Sequence, residues 1–272
     1  MKIPELKLNT GAKIPQIGFG LWQNTDEQEC KSAVKWALEA GFRHFDTAQI
    51  YGNEQFLGDA LKESGVPREE LFITTKIWND NMIGTRLIPS FEESLKKLQM
   101  DYVDLLLLHF PVTERRDGAW RKMEQIYSSG KAKAIGVSNY TLKHLKEMPG
   151  QFNVTPAANQ VEMSVVLQQP ELVEYCKANG IVVEAYTPLV EGQFFDDPIL
   201  KEIAQKHGKS VPQIMLRWCI DYGVVALTKS THKDRIQQNI DIFDFKLDEE
   251  DMKKLKALDK GYRVNWNPTN VP

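Results

Sequence analysis

IGFGLWQ, residues 17–23, opens like a buried strand and carries glycines at 18 and 20, the first two of a dinucleotide-binding Gly-x-Gly-x-x-Gly turn. Gln23 stands where the third glycine belongs, and no helical pattern starts there. An open, doubly wound sheet that grips a dinucleotide needs that turn, so that backbone can approach a pyrophosphate at a helix start. The stretch therefore argues for the other architecture of alternating strands and helices, the closed parallel barrel.

The rest of the chain fits a barrel. Strand patterns at 42–46, 71–77, 102–109, 132–138, 157–163, 181–187 and 224–230 join the one at 17–21 to make eight. Apolar spacing of three and four lies between them, most clearly at 29–40, 86–98, 197–208 and 210–221, with Gly208 as a C-cap and Ser210 as an N-cap. ELKLNTGAKIPQI (5–17) reads as an N-terminal β-hairpin turning at Asn9-Thr10-Gly11, and LDEEDMKKLKALD (247–259) as a late amphipathic helix. With 272 residues and no Gly/Ser/Pro-rich linker, the expectation is one α/β domain over 1–272, a (β/α)8 TIM barrel with extra C-terminal helices.

Composition narrows the function classes. Lys plus Arg is 34 and Asp plus Glu is 37, a net charge of −3, which offers no surface for nucleic acid or membrane. The apolar run in YVDLLLLHF is short and broken by Asp104, too little to span a bilayer. MKIPELKLNTG carries no apolar signal core. Cys30, Cys176 and Cys219 are far apart with no CxxC, which reads as reduced thiols in the cytoplasm.

Barrel chemistry gathers where strands end. The strand exits carry Asp46 with Tyr51, then Lys76, His109, Ser138-Asn139, Gln160, Tyr186 and Lys229-Ser230. Taken singly, each has an ordinary role open to it. Asp46 could cap the next helix, Tyr51 pack a loop, Lys76 face solvent, and His109 or Tyr186 sit in the core. Ser138-Asn139 could cap the helix TLKHLKEM. Convergence on one rim is what sets them apart. A free phenol has a pKa of about 10, too high for efficient acid catalysis near neutrality. A neighbouring ammonium is expected to lower it, with Asp46 holding Lys76 charged and His109 orienting a carbonyl. There is no Gly-x-Ser-x-Gly elbow and no His-Glu-x-x-His, and the five histidines lack ligand spacing, so no metal is expected. A tyrosine acid beside a carbonyl needs a hydride, and a nicotinamide is its natural source. Tyr186 can stack on that ring, while Ser138, Asn139 and Gln160 can bind its carboxamide. Lys229 and Arg235, near the start of a last helix, suit a phosphate.

DTAQIYGNE (46–54), TTKIWN (74–79), DYVDLLLLHFP (101–111), GKAKAIGVSNY (130–140), NQVEM (159–163), AYTPL (185–189) and KSTHKDRIQQN (229–239) stand in an order that resembles the aldo-keto reductases along essentially the whole chain. The short loops look most like microbial members of the 2,5-diketo-D-gluconate reductase and methylglyoxal reductase type. The resemblance implies a barrel that binds NADPH extended, without a Rossmann turn, with NADH a poorer fit. It implies Asp46, Tyr51, Lys76 and His109 as the catalytic set, and Trp22, Trp78 and Phe110 as substrate-pocket walls. Leu21, Trp22, Ser138, Asn139, Gln160, Tyr186, Thr187, Leu189 and Gly192 would lie along the nicotinamide and pyrophosphate. Lys229, Ser230, Thr231, His232, Arg235, Gln238 and Asn239 would hold the adenosine end.

Phe110 departs from the usual Trp, Thr187 from a common Ser, and Thr228 from a Pro. His232 departs from the Arg of some relatives, and Gln238 from the Glu of many. The expected substrate is a small-molecule carbonyl (an aldehyde, dicarbonyl or keto-sugar), and the expected state a monomer. Two other readings stay open: a cofactor-binding regulatory protein with little turnover, and a Schiff-base lyase using Lys76. The tail GYRVNWNPTNVP either folds Trp266 over the mouth or hangs loose.

Overall fold

The computed structural model describes residues 3–272. A hairpin of β1 (Glu5–Lys7) and β2 (Lys13–Pro15) comes first, antiparallel and turning through Gly11 at φ 89°. Eight parallel strands follow: β3 (Ile17–Gly20), β4 (His44–Asp46), β5 (Phe72–Ile77), β6 (Leu105–Leu108), β7 (Ile135–Ser138), β8 (Ala158–Glu162), β9 (Val182–Tyr186) and β10 (Val225–Thr228). They pair in chain order, and β10 returns to β3, so the sheet closes into a barrel. All eight strand patterns lie where the sequence puts them, each shorter at its ends. The pattern at 102–109 shrinks to Leu105–Leu108 because Val103 makes only an isolated bridge. Beside it, the Asp104 carboxylate accepts from Arg68 at 2.6 Å and from the Ile73 N–H at 2.9 Å.

The crossovers are α1 (Glu27–Ala40), α2 (Glu54–Ser64), α3 (Leu87–Leu98), α4 (Arg116–Ser128), α5 (Leu142–Glu147), α6 (Pro170–Ala178), α7 (Pro198–His207) and α8 (Val211–Tyr222), and α9 (Lys233–Ile240) follows the last strand. A further helix, α10 (Glu249–Lys256), falls within the late pattern at 247–259. Their ends obey local chemistry. Asp26 caps α1 by accepting from the Glu29 N–H at 2.8 Å. Gln213 reaches back to the Ser210 N–H at 2.9 Å at the start of α8, and Gly208 ends α7 at φ 62°. No helix among the described residues is long and apolar enough to cross a membrane.

Strand side chains alternate between two cores. Phe19, Phe45, Ile73, Ile77, Leu106, Leu108, Ile135 and Val137 point outward and pack against the helices. Phe72, Leu105, Leu107, Val225 and Leu227 point inward and meet Leu8 and Ile14 of the hairpin, which plugs one end. The upper interior is polar instead: His44, Asp46, Thr74, Lys76, Gln160 and Glu184 are all buried. That division, apolar floor and polar mouth, positions the site.

The sequence delimits α1, α3, α7 and α8; α2 begins where a helix is expected after the turn at 46–54, and the bounds of α4 and α6 come only from the structure. Gly58 lies in the middle of α2, where a Cβ would stand 2.6 Å from the Lys97 carbonyl and 2.7 Å from that of Leu98. The glycine lets α2 lie directly on the end of α3. Replacing it with alanine forces backbone apart, and overpacking of this kind costs about 1–3 kcal/mol. Gly58→Ala should lower the midpoint of thermal unfolding by several degrees; an unchanged midpoint would show that the helices can separate freely.

Candidate active site

The turn after β4 explains the stretch DTAQIYGNE. Asp46 ends the strand, Gln49–Tyr51 make a single 3-10 turn, and Gly52 at φ 71° sends the chain back toward α2. Two amides fasten it. Asn53 donates to the Leu21 and Asn24 carbonyls at 2.8 and 3.1 Å and accepts from the Thr47 hydroxyl at 2.6 Å. Gln49 accepts from the Trp78 N–H at 2.8 Å and donates to Ser94 at 3.1 Å. Tyr51 is therefore carried on a rigid loop rather than a free one.

Below it lies Lys76, fully buried. An ammonium has three N–H donors. Here they meet Asp46 Oδ1 at 2.5 Å, the Thr47 carbonyl at 2.9 Å and Tyr51 Oη at 3.4 Å. Burial works to lower the Lys76 pKa, but Asp46 and then Tyr51 outweigh it, and the net direction is upward. The lysine stays charged. For Tyr51, burial pushes the phenol up and the charge of Lys76 pulls it back, with a net rise. The expected net lowering does not appear, because the sequence shows the neighbouring charge but not the depth of burial.

His109 ends the run after β6 and stacks on Phe110 at 5.0 Å between ring centroids, with Tyr51 and Trp78 edge-on at 5.6 and 5.2 Å. Burial, then Lys76, drives its pKa well below the ordinary 6.5, so the ring is neutral at neutral pH. Asn139, held left-handed at φ 63°, donates to the His109 carbonyl at 3.0 Å and accepts from Tyr186 Oη at 2.7 Å. Ser138 donates to the Gln160 carbonyl at 2.9 Å, and Gln160 Nε2 donates to Asp46 Oδ2 at 2.9 Å. Neither Asp46 nor Ser138-Asn139 caps a helix; Thr141 caps α5.

These residues line one cleft of about 1060 Å³ that runs from Trp22, Tyr51, Trp78, His109 and Phe110 to Lys229, His232 and Arg235. Thr187, Leu189, Gly192, Ser230, Thr231, Gln238 and Asn239 also border it. Lys76 stands behind Tyr51, out of the lining. Leu21 does not border the cleft either: its side chain is fully buried in the outer core, and Gly20 takes its place at the rim. Thr187, Val190 and Glu191 follow β9 in left-handed backbone, at φ 52°, 50° and 51°. Such geometry costs about 1–3 kcal/mol per residue and concentrates at ligand sites.

The cleft suits the expected dinucleotide. Lys233 is paired with Glu39 at 3.0 Å, whereas Lys229 and Arg235 have no carboxylate within ion-pair distance among the described residues. α9 starts without a side-chain cap, so its first N–H groups are open to an anion. The polar cluster of Ser138, Asn139, Gln160 and Tyr186 lies at the other end, beside Tyr51.

Sequence reading missed several lining residues, Ile50, Phe195, Pro212 and Asn265 among them, and the anchor of the tail. Glu162, at the end of β8, accepts from the backbone N–H groups of Val264 at 2.5 Å and Asn265 at 3.2 Å. The Asn265 amide donates to Thr187 at 3.1 Å, and the Trp266 indole packs edge-on against Phe110 at 5.2 Å. The tail thus lies over the mouth. The signal was present in the buried-strand position of an acid, but its partner lies about a hundred residues away.

Known proteins share this arrangement at the level of whole chains. The "Glyoxal reductase" of Bacillus subtilis (strain 168) is 46% identical over 98% of this chain and 96% of its own. The crystal structure of an aldo-keto reductase enzyme from a Medee basin deep-sea metagenome library superposes with a TM-score of 0.95 at 42% identity, over 98% of this chain and 99% of that one. A Bombyx mori aldo-keto reductase solved in complex with NADP gives 0.92 at 38% identity, over 97% and 95%. A model of the Aldo/keto reductase family matches residues 16–260, and with the closed barrel and its lined mouth this chain belongs to that family.

Proposed function

We propose that the chain reduces small uncharged carbonyl compounds to alcohols with NADPH, glyoxal-type α-oxoaldehydes among them, with Tyr51 as general acid. The observation that carries it is the third donor of Lys76, aimed at a phenol oxygen that borders the cleft. When bound, the reduced nicotinamide supplies a hydride to the carbonyl carbon. Tyr51 gives its proton to the carbonyl oxygen, and the phenolate left behind is stabilised by the Lys76 ammonium. Asp46 keeps that ammonium in place. His109, neutral, can donate one ring N–H to the same oxygen and orient it. Ser138, Asn139 and Gln160 would hold the carboxamide, with Tyr186 against the ring.

The two ends of the cleft assign the two ligands. Trp22, Ile50, Trp78, Phe110 and Trp266 make the substrate end aromatic and free of cations. An apolar wall of this kind accepts a neutral carbonyl and leaves a carboxylate unpaired. Lys229 and Arg235, unpaired at the far end, favour the 2′-phosphate of NADPH over NADH. Three free, buried cysteines support a reducing compartment, the cytosol.

Loss of NADPH absorbance with methylglyoxal tests the activity directly. Tyr51→Phe should cut turnover by about 10²–10⁴-fold while NADPH affinity, read by fluorescence, stays within about twofold; ordinary turnover in that variant would remove Tyr51 from the proton step. Absent turnover in the parent with every carbonyl tried would favour a cofactor-binding regulatory role instead. Arg235→Ala should weaken NADPH binding by about tenfold or more, as expected for a charge-assisted bond, and leave NADH binding nearly unchanged. Equal losses for both cofactors would place Arg235 away from the 2′-phosphate. In competition, kcat/KM for methylglyoxal should exceed that for pyruvate by at least about a hundredfold, and parity would mean that the pocket holds a cation after all.

A further inference from the structure

A second acid lies beneath the Lys76–Asp46 pair. Glu184, on β9, is fully buried and points into the barrel. Its Oε2 is 3.4 Å from Gln160 Nε2, the same nitrogen that donates to Asp46 Oδ2 at 2.9 Å. Its Oε1 has no hydrogen-bond partner and stands 3.7 Å from His44 Nε2, which is itself engaged with the Thr74 hydroxyl at 3.2 Å. The titratable or charged groups around it are His44 and Asp46 on β4 and Lys76 on β5. In the neighbouring strands, Gln160 on β8 and Val225 on β10 stand opposite it. One cation, Lys76, thus faces two carboxyl groups, and it is bonded to only one.

We propose that Glu184 is a positioning residue of the reaction: uncharged, it accepts from Gln160 and steadies that amide at the cleft, and it leaves Asp46 as the single negative charge beneath Lys76. Burial and then the charge of Asp46 push its carboxyl up to about 8, while burial drives His44 down to about 3, so neither carries a charge at neutral pH. Ionising Glu184 would bring a second negative charge to Lys76. The ammonium would then stabilise the Tyr51 phenolate less, and reduction, which ends with that phenolate, would slow as pH rises through 8. The effect on rate rests on the carbonyl-reductase reading above; the effect on folded-state stability does not.

The stability effect has a definite sign. The folded carboxyl titrates near 8 and the unfolded one near 4.5. Between those values the unfolded chain sheds the proton and the folded chain keeps it, so Glu184 increasingly favours unfolding as pH climbs from 4.5 to 8. Glu184→Gln and Glu184→Met both remove the titration; only the glutamine keeps an acceptor for Gln160. In the cofactor-free protein, the thermal midpoint of either variant minus that of the parent should grow from pH 5 to pH 8 and then level. In the active enzyme, the ratio of variant to parent kcat for reduction should rise about tenfold between pH 7 and 9, following one ionisation near 8. Glu184→Met alone should weaken NADPH binding, since Gln160 loses its second partner. A midpoint difference independent of pH overturns the uncharged state, whatever the activity. A pH-dependent midpoint with parallel kcat profiles overturns the link to Lys76, and equal NADPH affinity in both variants overturns the role through Gln160. If one variant does not fold, the midpoint and kcat tests run on the other, and comparing its NADPH affinity with that of the parent decides the Gln160 role.

Discussion

Lys76 has three N–H bonds to give and no water to give them to. An ammonium in that position is tolerated only if protein atoms take the place of solvent, since the cost of an unpaired buried charge is several kcal/mol. Asp46, the Thr47 carbonyl and the Tyr51 phenol do so, and all three come from the end of β4 and the short turn that follows it. Removing one partner of a buried pair typically costs about 3–5 kcal/mol. The demand that stabilises the lysine is therefore the demand that orients the phenol, and structure and chemistry at this point are one constraint.

The rest of the barrel serves that constraint. The lower interior is filled by leucines, valines and the hairpin plug, which keep water from reaching the lysine from below. The loops above are fixed by side-chain amides rather than by apolar packing: Gln49, Asn53 and Asn139 each hold two or more partners. An amide can both donate and accept, so a single residue can bind two strand ends at once. This allows a rim that is polar enough for chemistry and still rigid.

Much of this was legible in the sequence because barrel strands buried on both faces read as apolar runs, and because polar residues at their ends break those runs. Gln23 in place of a glycine was enough to set the open sheet aside. Strand ends were over-read where a side chain such as Asp104 leaves the ladder to bond elsewhere. The need for Gly58 within α2 lies in a neighbouring helix, which no local pattern shows. Leu21, expected along the cofactor, is buried in the outer core, and its neighbour Gly20 borders the cleft. The upward shift of Tyr51, the bond from the tail to Glu162 and the unpartnered Oε1 of Glu184 depend on contacts between distant segments, which no local pattern carries.

β8 has an unusual double duty. Gln160 faces the polar end of the cleft, and two residues further on Glu162 grips the tail that brings Trp266 against Phe110. The polar end of the cleft and the tail across its mouth thus hang from a single span of backbone less than one strand long. A small displacement of that span would move both at once, so occupancy on one side of the cleft is mechanically shared with the shape of the other.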